Sequence, residues 1–124
     1  MQDEPTPIEL TKAVADFLRD DIAPLIAGHD AFKLRVAINM LDLVTRQLTL
    51  AAGGDAAEVA RLKHLVDKEG SLLELNRALA GKIASGESNL QTPGLAEHLW
   101  QTTMDKLAVD QPNYASYRRE LERK

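Results

Sequence analysis

The sequence predicts an all-α protein, an up-and-down bundle of four to five helices, and three observations support this prediction. Apolar residues recur at intervals of three and four, whereas no segment alternates with the period of two that marks a half-buried strand. Patterns typical of helix starts precede most of the periodic stretches, and glycines follow them. The connections between these stretches are short, which favours antiparallel neighbours.

The predicted helix starts are capping boxes and prolines. In the first of them, Thr6 is spaced from Glu9 as a capping box requires, and Pro7 occupies the first helical position. Further starts are predicted at Asp55–Glu58, Ser71–Glu74 and Thr92–Pro93. Helix stops are predicted at Gly28, Gly53-Gly54, Gly70 and Gly86.

Five helices follow from these boundaries, at residues 6–27, 30–52, 56–69, 72–85 and 93–109. Pro24 is expected to kink the first helix or to end it near Ile22, because proline lacks an N–H group. The helix 30–52 is apolar around most of its circumference, so we expect it to be central and surrounded by the others. The buried face of the first helix is expected to hold Leu10, Val14, Phe17, Leu18, Ile22 and Leu25. That of the fifth is expected to hold Leu95, Leu99, Trp100, Met104 and Leu107.

Length and composition limit the class of protein. The 124 residues are expected to form a single helical domain over 1–118, followed by a charged C-terminal tail at 119–124. The net charge is −4 and no basic stripe is present, so we expect no nucleic-acid partner. The apolar runs are far shorter than the ~20 residues of a membrane span, and no apolar signal segment is present. Together with the absence of cysteine, this predicts a cytoplasmic protein that does not bind membranes.

The sequence contains no pattern typical of metal binding or of catalysis. His29, His64 and His98 are not paired at helical spacing, and the last two lie opposite apolar positions, so all three are expected at the surface. No serine lies in a nucleophile elbow, and no phosphate-binding loop is present. We therefore expect no catalytic residue, metal or cofactor, and we favour a non-enzymatic role.

Some polar residues fall on the apolar faces of the predicted helices, where a buried carboxylate or amide needs a partner. They are Asp21 on the first helix, Asn39 on the second, Asn76 on the fourth and Lys106 on the fifth. One interpretation is a polar ligand pocket between helices, with Trp100 and Met104 as its apolar wall. The favoured alternative is structural: an ion pair between Asp21 and Lys106 or a second-helix arginine, an amide pair that fixes helix register, and core packing of Trp100 and Met104.

Four segments of the chain resemble an uncharacterised bacterial family of small helical proteins. They are EPTPIELTKAVADFLRDDIAP, FKLRVAINMLDLVTRQL, LLELNRALAGKI and DKLAVDQPNYASYR, and the resemblance extends over most of residues 1–118. The resemblance implies genes encoded beside an aminoglycoside-phosphotransferase-like kinase and an acyl-CoA-dehydrogenase-like enzyme. It implies no catalytic residues.

The sequence thus supports two functional hypotheses. The leading one is a non-catalytic accessory or interaction module that forms homo-oligomers and serves a neighbouring metabolic enzyme, with the phosphotransferase-like or acyl-CoA-dehydrogenase-like protein as its partner. Aromatic residues with a polar edge are the expected oligomer contacts, namely Trp100, Tyr114 and Tyr117. The alternative is a small-molecule binding protein that holds an acyl or aromatic ligand between helices near Trp100.

Overall fold

The computed structural model describes residues 3–123, of which 78% are helical and none lies in a strand, so the all-α prediction is confirmed. The helices are α1 Pro7–Phe17, α2 Gly28–Val66, α3 Leu72–Ala84, α4 Leu95–Asp110 and α5 Ala115–Leu121. The chain divides into two compact units, the first ending at Ala51 and the second beginning at Ala52. The predicted tail boundary at residue 118 falls inside α5. Residues 1, 2 and 124 lie outside the described part of the chain.

Both full capping boxes form as the sequence predicts. The Thr6 hydroxyl accepts a hydrogen bond from the Glu9 backbone N–H, and the Glu9 carboxylate accepts one from the Thr6 N–H at 2.7 Å. Ser71 and Glu74 make the same reciprocal pair at the start of α3. In each box the serine or threonine lowers the pKa of the glutamate, chiefly by backbone hydrogen bonding. Local sequence therefore fixes where α1 and α3 begin.

The first helix ends through a change of helical type. After α1 the chain makes one π-helical turn, Leu18–Ile22, and one 3₁₀ turn, Ala23–Leu25. The Ala23 N–H donates to the Leu18 carbonyl five residues earlier, and Pro24 then has no N–H to continue the ladder. The expected break near Ile22 is therefore confirmed. The π turn also rotates the residues that follow Leu18 away from the positions they would hold on an ideal α-helix.

The predicted stop at Gly53-Gly54 and the predicted start at Asp55 are wrong, because α2 is continuous from Gly28 to Val66. Neither glycine has a positive φ, and a Cβ on either would meet no atom within 4 Å. Glycine costs about 1 kcal/mol relative to alanine inside a helix, which flanking packing readily outweighs. The left-handed residue that follows α2 is Asp67, at φ 50°.

The second unit contains the main hydrophobic core. Residues of the last turns of α2 pack against α3 and the start of α4, and the buried members are Leu62, Val66, Leu75, Leu79 and Leu95. The partly buried residues that pack against this core are Val59, Leu65, Leu72 and Ala78. The end of α3 is also as predicted, with Gly86 in the left-handed region at φ 80°.

The expectation that other helices of the chain surround residues 30–52 and bury them on all sides is wrong. Within residues 30–52 only Ile38 is buried, while Met40 is 63% exposed. In the first unit this segment has a single helical neighbour, α1 with its π turn, so one side of it is covered. An apolar circumference indicates that a helix can be buried on all sides. It does not indicate whether the same chain or a partner buries it.

Candidate functional site

The first unit is an antiparallel hairpin of α1 and the first half of α2. Its seam contains the buried Ala15 and Ile38 and a hydrogen bond of 2.8 Å from the Thr45 hydroxyl to that of Thr11. The Leu41 carbonyl, 2.9 Å from the Thr45 hydroxyl, is the alternative acceptor for its single proton. The seam is narrow because small residues supply much of it.

Charged residues gather on one side of this hairpin. Arg19 donates to Asp42 of α2 at 2.7 Å and to Asp16 at 3.0 Å, and Lys12 donates to Asp16 at 2.6 Å. The hydrogen bond from Lys12 is the main cause of the lowered pKa of Asp16, and the hydrogen bond to Asp42 is the main cause of the raised pKa of Arg19. These groups are solvent-exposed, so the pairs fix orientation more than they stabilise the fold.

Apolar residues occupy the opposite side. On both helices they are displaced from the seam in the same rotational sense, and because the helices are antiparallel, both sets face the same side of the hairpin. We call this surface the apolar side. Its large members, all exposed by more than a third, are Leu10, Val14, Phe17, Met40, Leu43, Val44 and Leu48. The face of α2 from residue 36 to residue 51 on this side contains no charged residue.

The second unit contains a polar cluster around His98. His98 is only 2% exposed, and its Nδ1 accepts a hydrogen bond of 3.4 Å from Arg61 Nε. The same guanidinium donates to Thr102 at 3.4 Å and lies 3.5 Å from the carboxylate of Asp105. Asp105 also accepts from Gln101 at 2.8 Å. The Arg61 side chain of α2 thus contacts three polar side chains of α4, those of His98, Thr102 and Asp105.

Burial lowers the pKa of His98, and the nearby positive charge of Arg61 lowers it further, against an opposing contribution from Glu58. Because Nδ1 accepts from Arg61, His98 fits this cluster as the neutral imidazole with its proton on Nε2. The cluster can orient α4 against α2. The expectation that His98 lies at the surface is wrong. The apolar face predicted for residues 93–109 lay on the other side of that helix from His98.

The signal that could have identified His98 is its spacing. It lies at i+3 from Leu95, and Thr102 and Asp105 follow at i+4 and i+7 from His98, so all four share one helical face. That face points toward α2, whereas Leu99 and Trp100 are largely exposed. The predicted apolar face is confirmed for Leu95 and Met104, which are buried, and is wrong for Leu99 and Trp100.

The structure places the predicted polar residues in different environments. Asn76 is half-buried and donates to Glu58 at 2.8 Å and to the Leu72 carbonyl at 3.2 Å, so it has the partners a buried amide needs. Asp21, Asn39 and Lys106 are exposed. For Asp21 the π turn supplies the reason, because it changes the helical position of the carboxylate. The ion pair proposed for Asp21 stays a prediction.

Trp100 and Met104 differ from each other. Met104 is buried, whereas Trp100 is 51% exposed although it lies one turn away. Trp100 therefore does not belong to the core, contrary to the favoured alternative, and it is open to solvent on one side.

Within residues 3–123, no group of three or more histidine, aspartate or glutamate side chains is arranged to hold a metal ion. None of the helices in that range is both long and apolar enough to cross a membrane.

The fold and the surface define a small all-α protein whose N-terminal hairpin is polar on one side and apolar on the other. The chain belongs to the family described as Domain of unknown function (DUF6285), whose family model matches residues 24–114. The match includes α2, α3 and α4, and α1 lies before it. Comparisons with curated proteins and with solved structures found no significant match.

Proposed function

We propose that the protein is a non-catalytic interaction module that serves a neighbouring metabolic enzyme and associates through the apolar side of its hairpin. The observation that carries this proposal is the contiguous exposure of large apolar residues on both helices of the first unit. Contiguous exposed apolar patches of several hundred Å² are typical of protein interaction sites, whereas single exposed leucines are ordinary.

The apolar side is large enough to contribute substantial binding energy. If each of its seven large side chains exposes on the order of 70 Å², about half of the area of a large side chain, they expose about 500 Å² together. At about 25 cal/mol per Å², covering this area contributes roughly 12 kcal/mol before the cost of association. That cost is about 4–15 kcal/mol, so the interface can form when its partner also supplies an apolar surface.

The resemblance of the sequence supports the choice of partner. It implies bacterial relatives encoded beside a phosphotransferase-like kinase and an acyl-CoA-dehydrogenase-like enzyme, which makes these two the partners to test. The charged side of α1 is less suited to docking, because Asp16 is already paired with Lys12 and Arg19. We therefore expect binding that depends weakly on salt concentration.

Affinity capture with matched variants tests this function. The purified chain is immobilised as wild type, Val44→Glu and Asn39→Glu, and each form is exposed to both purified enzymes. Both positions are exposed on α2, but only Val44 belongs to the apolar side. We expect wild type and Asn39→Glu to retain one enzyme and Val44→Glu to lose it. Retention of neither enzyme by the folded wild type, or equal retention by the two variants, would contradict the proposal.

The small-molecule binding alternative stays open as a second proposal at one place. Trp100 offers a half-exposed indole ring beside the exposed Leu99, which is suited to stacking with an aromatic ligand. Native mass spectrometry of protein purified from its own host tests it, and a retained ligand whose loss accompanies Trp100→Ala would support it.

A further inference from the structure

We propose that the apolar side is covered by a second copy of this chain, so that two hairpins form a symmetric four-helix interface. This inference rests on the proposed function, because it names the first partner of the same surface. In the isolated protein the second copy then occupies the apolar side, and it is displaced when the enzyme binds there.

The hairpin buries little of its own apolar surface. Within the described part of the first unit, Ala15 and Ile38 are the only buried residues. The second unit, by contrast, has a core in which Leu62 and Leu75 are completely buried. Two helices with one narrow seam form half of a bundle, and a second pair of helices completes it.

The apolar side is complementary to itself. A two-fold axis brings the same patch of both copies together, so an isologous interface requires a surface that fits itself. The apolar side meets this requirement, because the face of α2 from residue 36 to residue 51 has no charge that would face its own image. The charged groups lie on the opposite side of the hairpin, where Arg19 pairs with Asp42.

The area of the apolar side is comparable with that of a specific protein interface. The seven large side chains expose about 500 Å² by the estimate above, and the exposed Ala13 and Ala37 lie among them. Specific interfaces bury about 600–1,000 Å² on each partner. The apolar side together with its alanines and the stems of its edge residues is therefore of the size that a stable dimer of this chain needs.

Sedimentation equilibrium of the full chain tests the proposal with the same pair of variants. Wild type and Asn39→Glu are expected to sediment at twice the monomer mass of 13.6 kDa at about 100 μM. Val44→Glu is expected to sediment as a monomer, with a dimer dissociation constant raised by at least about 100-fold, because the symmetry buries two unpaired carboxylates at once. Circular dichroism checks that Val44→Glu keeps the helix content of wild type.

The outcomes separate this inference from the proposed function. A monomeric wild type, or a Val44→Glu dimer as stable as that of Asn39→Glu, would overturn the second-copy proposal. A wild-type monomer that still binds an enzyme through Val44 would leave the interaction module standing and assign the apolar side to the enzyme. If Val44→Glu disrupts a wild-type dimer but wild type binds neither enzyme, the second-copy proposal is supported and the proposed interaction with those enzymes is refuted. If Val44→Glu loses helix content, Met40→Glu replaces it, since Met40 is the more exposed residue.

Discussion

Replacing Gly53 and Gly54 by alanine should stabilise the protein, because both glycines lie within the continuous helix α2. Neither has the positive φ that only glycine adopts easily, and an added Cβ would meet nothing within 4 Å. The substitutions therefore introduce no strain, and they reduce the conformational entropy that the unfolded chain loses on folding. We expect a gain of about 0.5–1 kcal/mol for each glycine, or about 1–2 kcal/mol for the double variant.

Urea denaturation followed by circular dichroism at 222 nm measures this effect. With a slope of about 2 kcal/mol per M, the double variant should raise the midpoint by about 0.5–1 M. Gly86→Ala is the matched control, because its site is equally open but has φ +80°, and it should lower the midpoint. Destabilisation by Gly53→Ala or Gly54→Ala comparable to that by Gly86→Ala would refute the continuous helix.

Two further predictions concern the second unit. Leu75→Ala should lower the free energy of unfolding by about 2–5 kcal/mol, because Leu75 is fully buried. Leu73→Ala, on the exposed side of α3, should lower it much less. Similar losses for both variants would contradict the assigned core. The folded-state pKa of His98 is lowered by burial and by Arg61, against Glu58. The unfolded chain therefore binds the extra proton first, and this contribution to stability is present above about pH 6.5 and is lost as the pH falls toward the folded pKa. Urea midpoints between pH 8 and pH 5 should fall less steeply for His98→Gln than for wild type. An unchanged slope in His98→Gln would show that the imidazole is not held neutral by its surroundings.

The parts of the fold that the sequence predicted are those determined locally. The capping boxes at Thr6 and Ser71 and the break caused by Pro24 depend on residues within one or two turns, so their patterns were sufficient. Gly53-Gly54 was misread because a glycine pair permits a stop without requiring one. Whether the helix continues depends on packing that lies beyond the local pattern.

The candidate surfaces were harder to predict because they depend on which face of a helix meets another chain segment. The apolar circumference of residues 30–52 was recognised, but a helix covered by its own chain and one covered by a partner have the same pattern. His98 was missed because a hydrophobicity pattern does not assign a polar imidazole to a buried face. Asn76 has the hydrogen bonds that an amide on an apolar face requires, but it donates to Glu58 and not to the second amide that the sequence suggested.

A cysteine placed on the apolar side of the hairpin is protected from alkylation if that side is an interface. The chain has no cysteine, so Val44→Cys and Asn39→Cys each introduce a single reactive group. The rate of iodoacetamide labelling is measured for both variants from about 1 to 100 μM protein, with labelling in urea as the reference for full access. Our account predicts that Val44→Cys becomes protected as the protein concentration rises, while Asn39→Cys remains freely labelled throughout. Equal labelling rates at the two positions, independent of concentration, would contradict it.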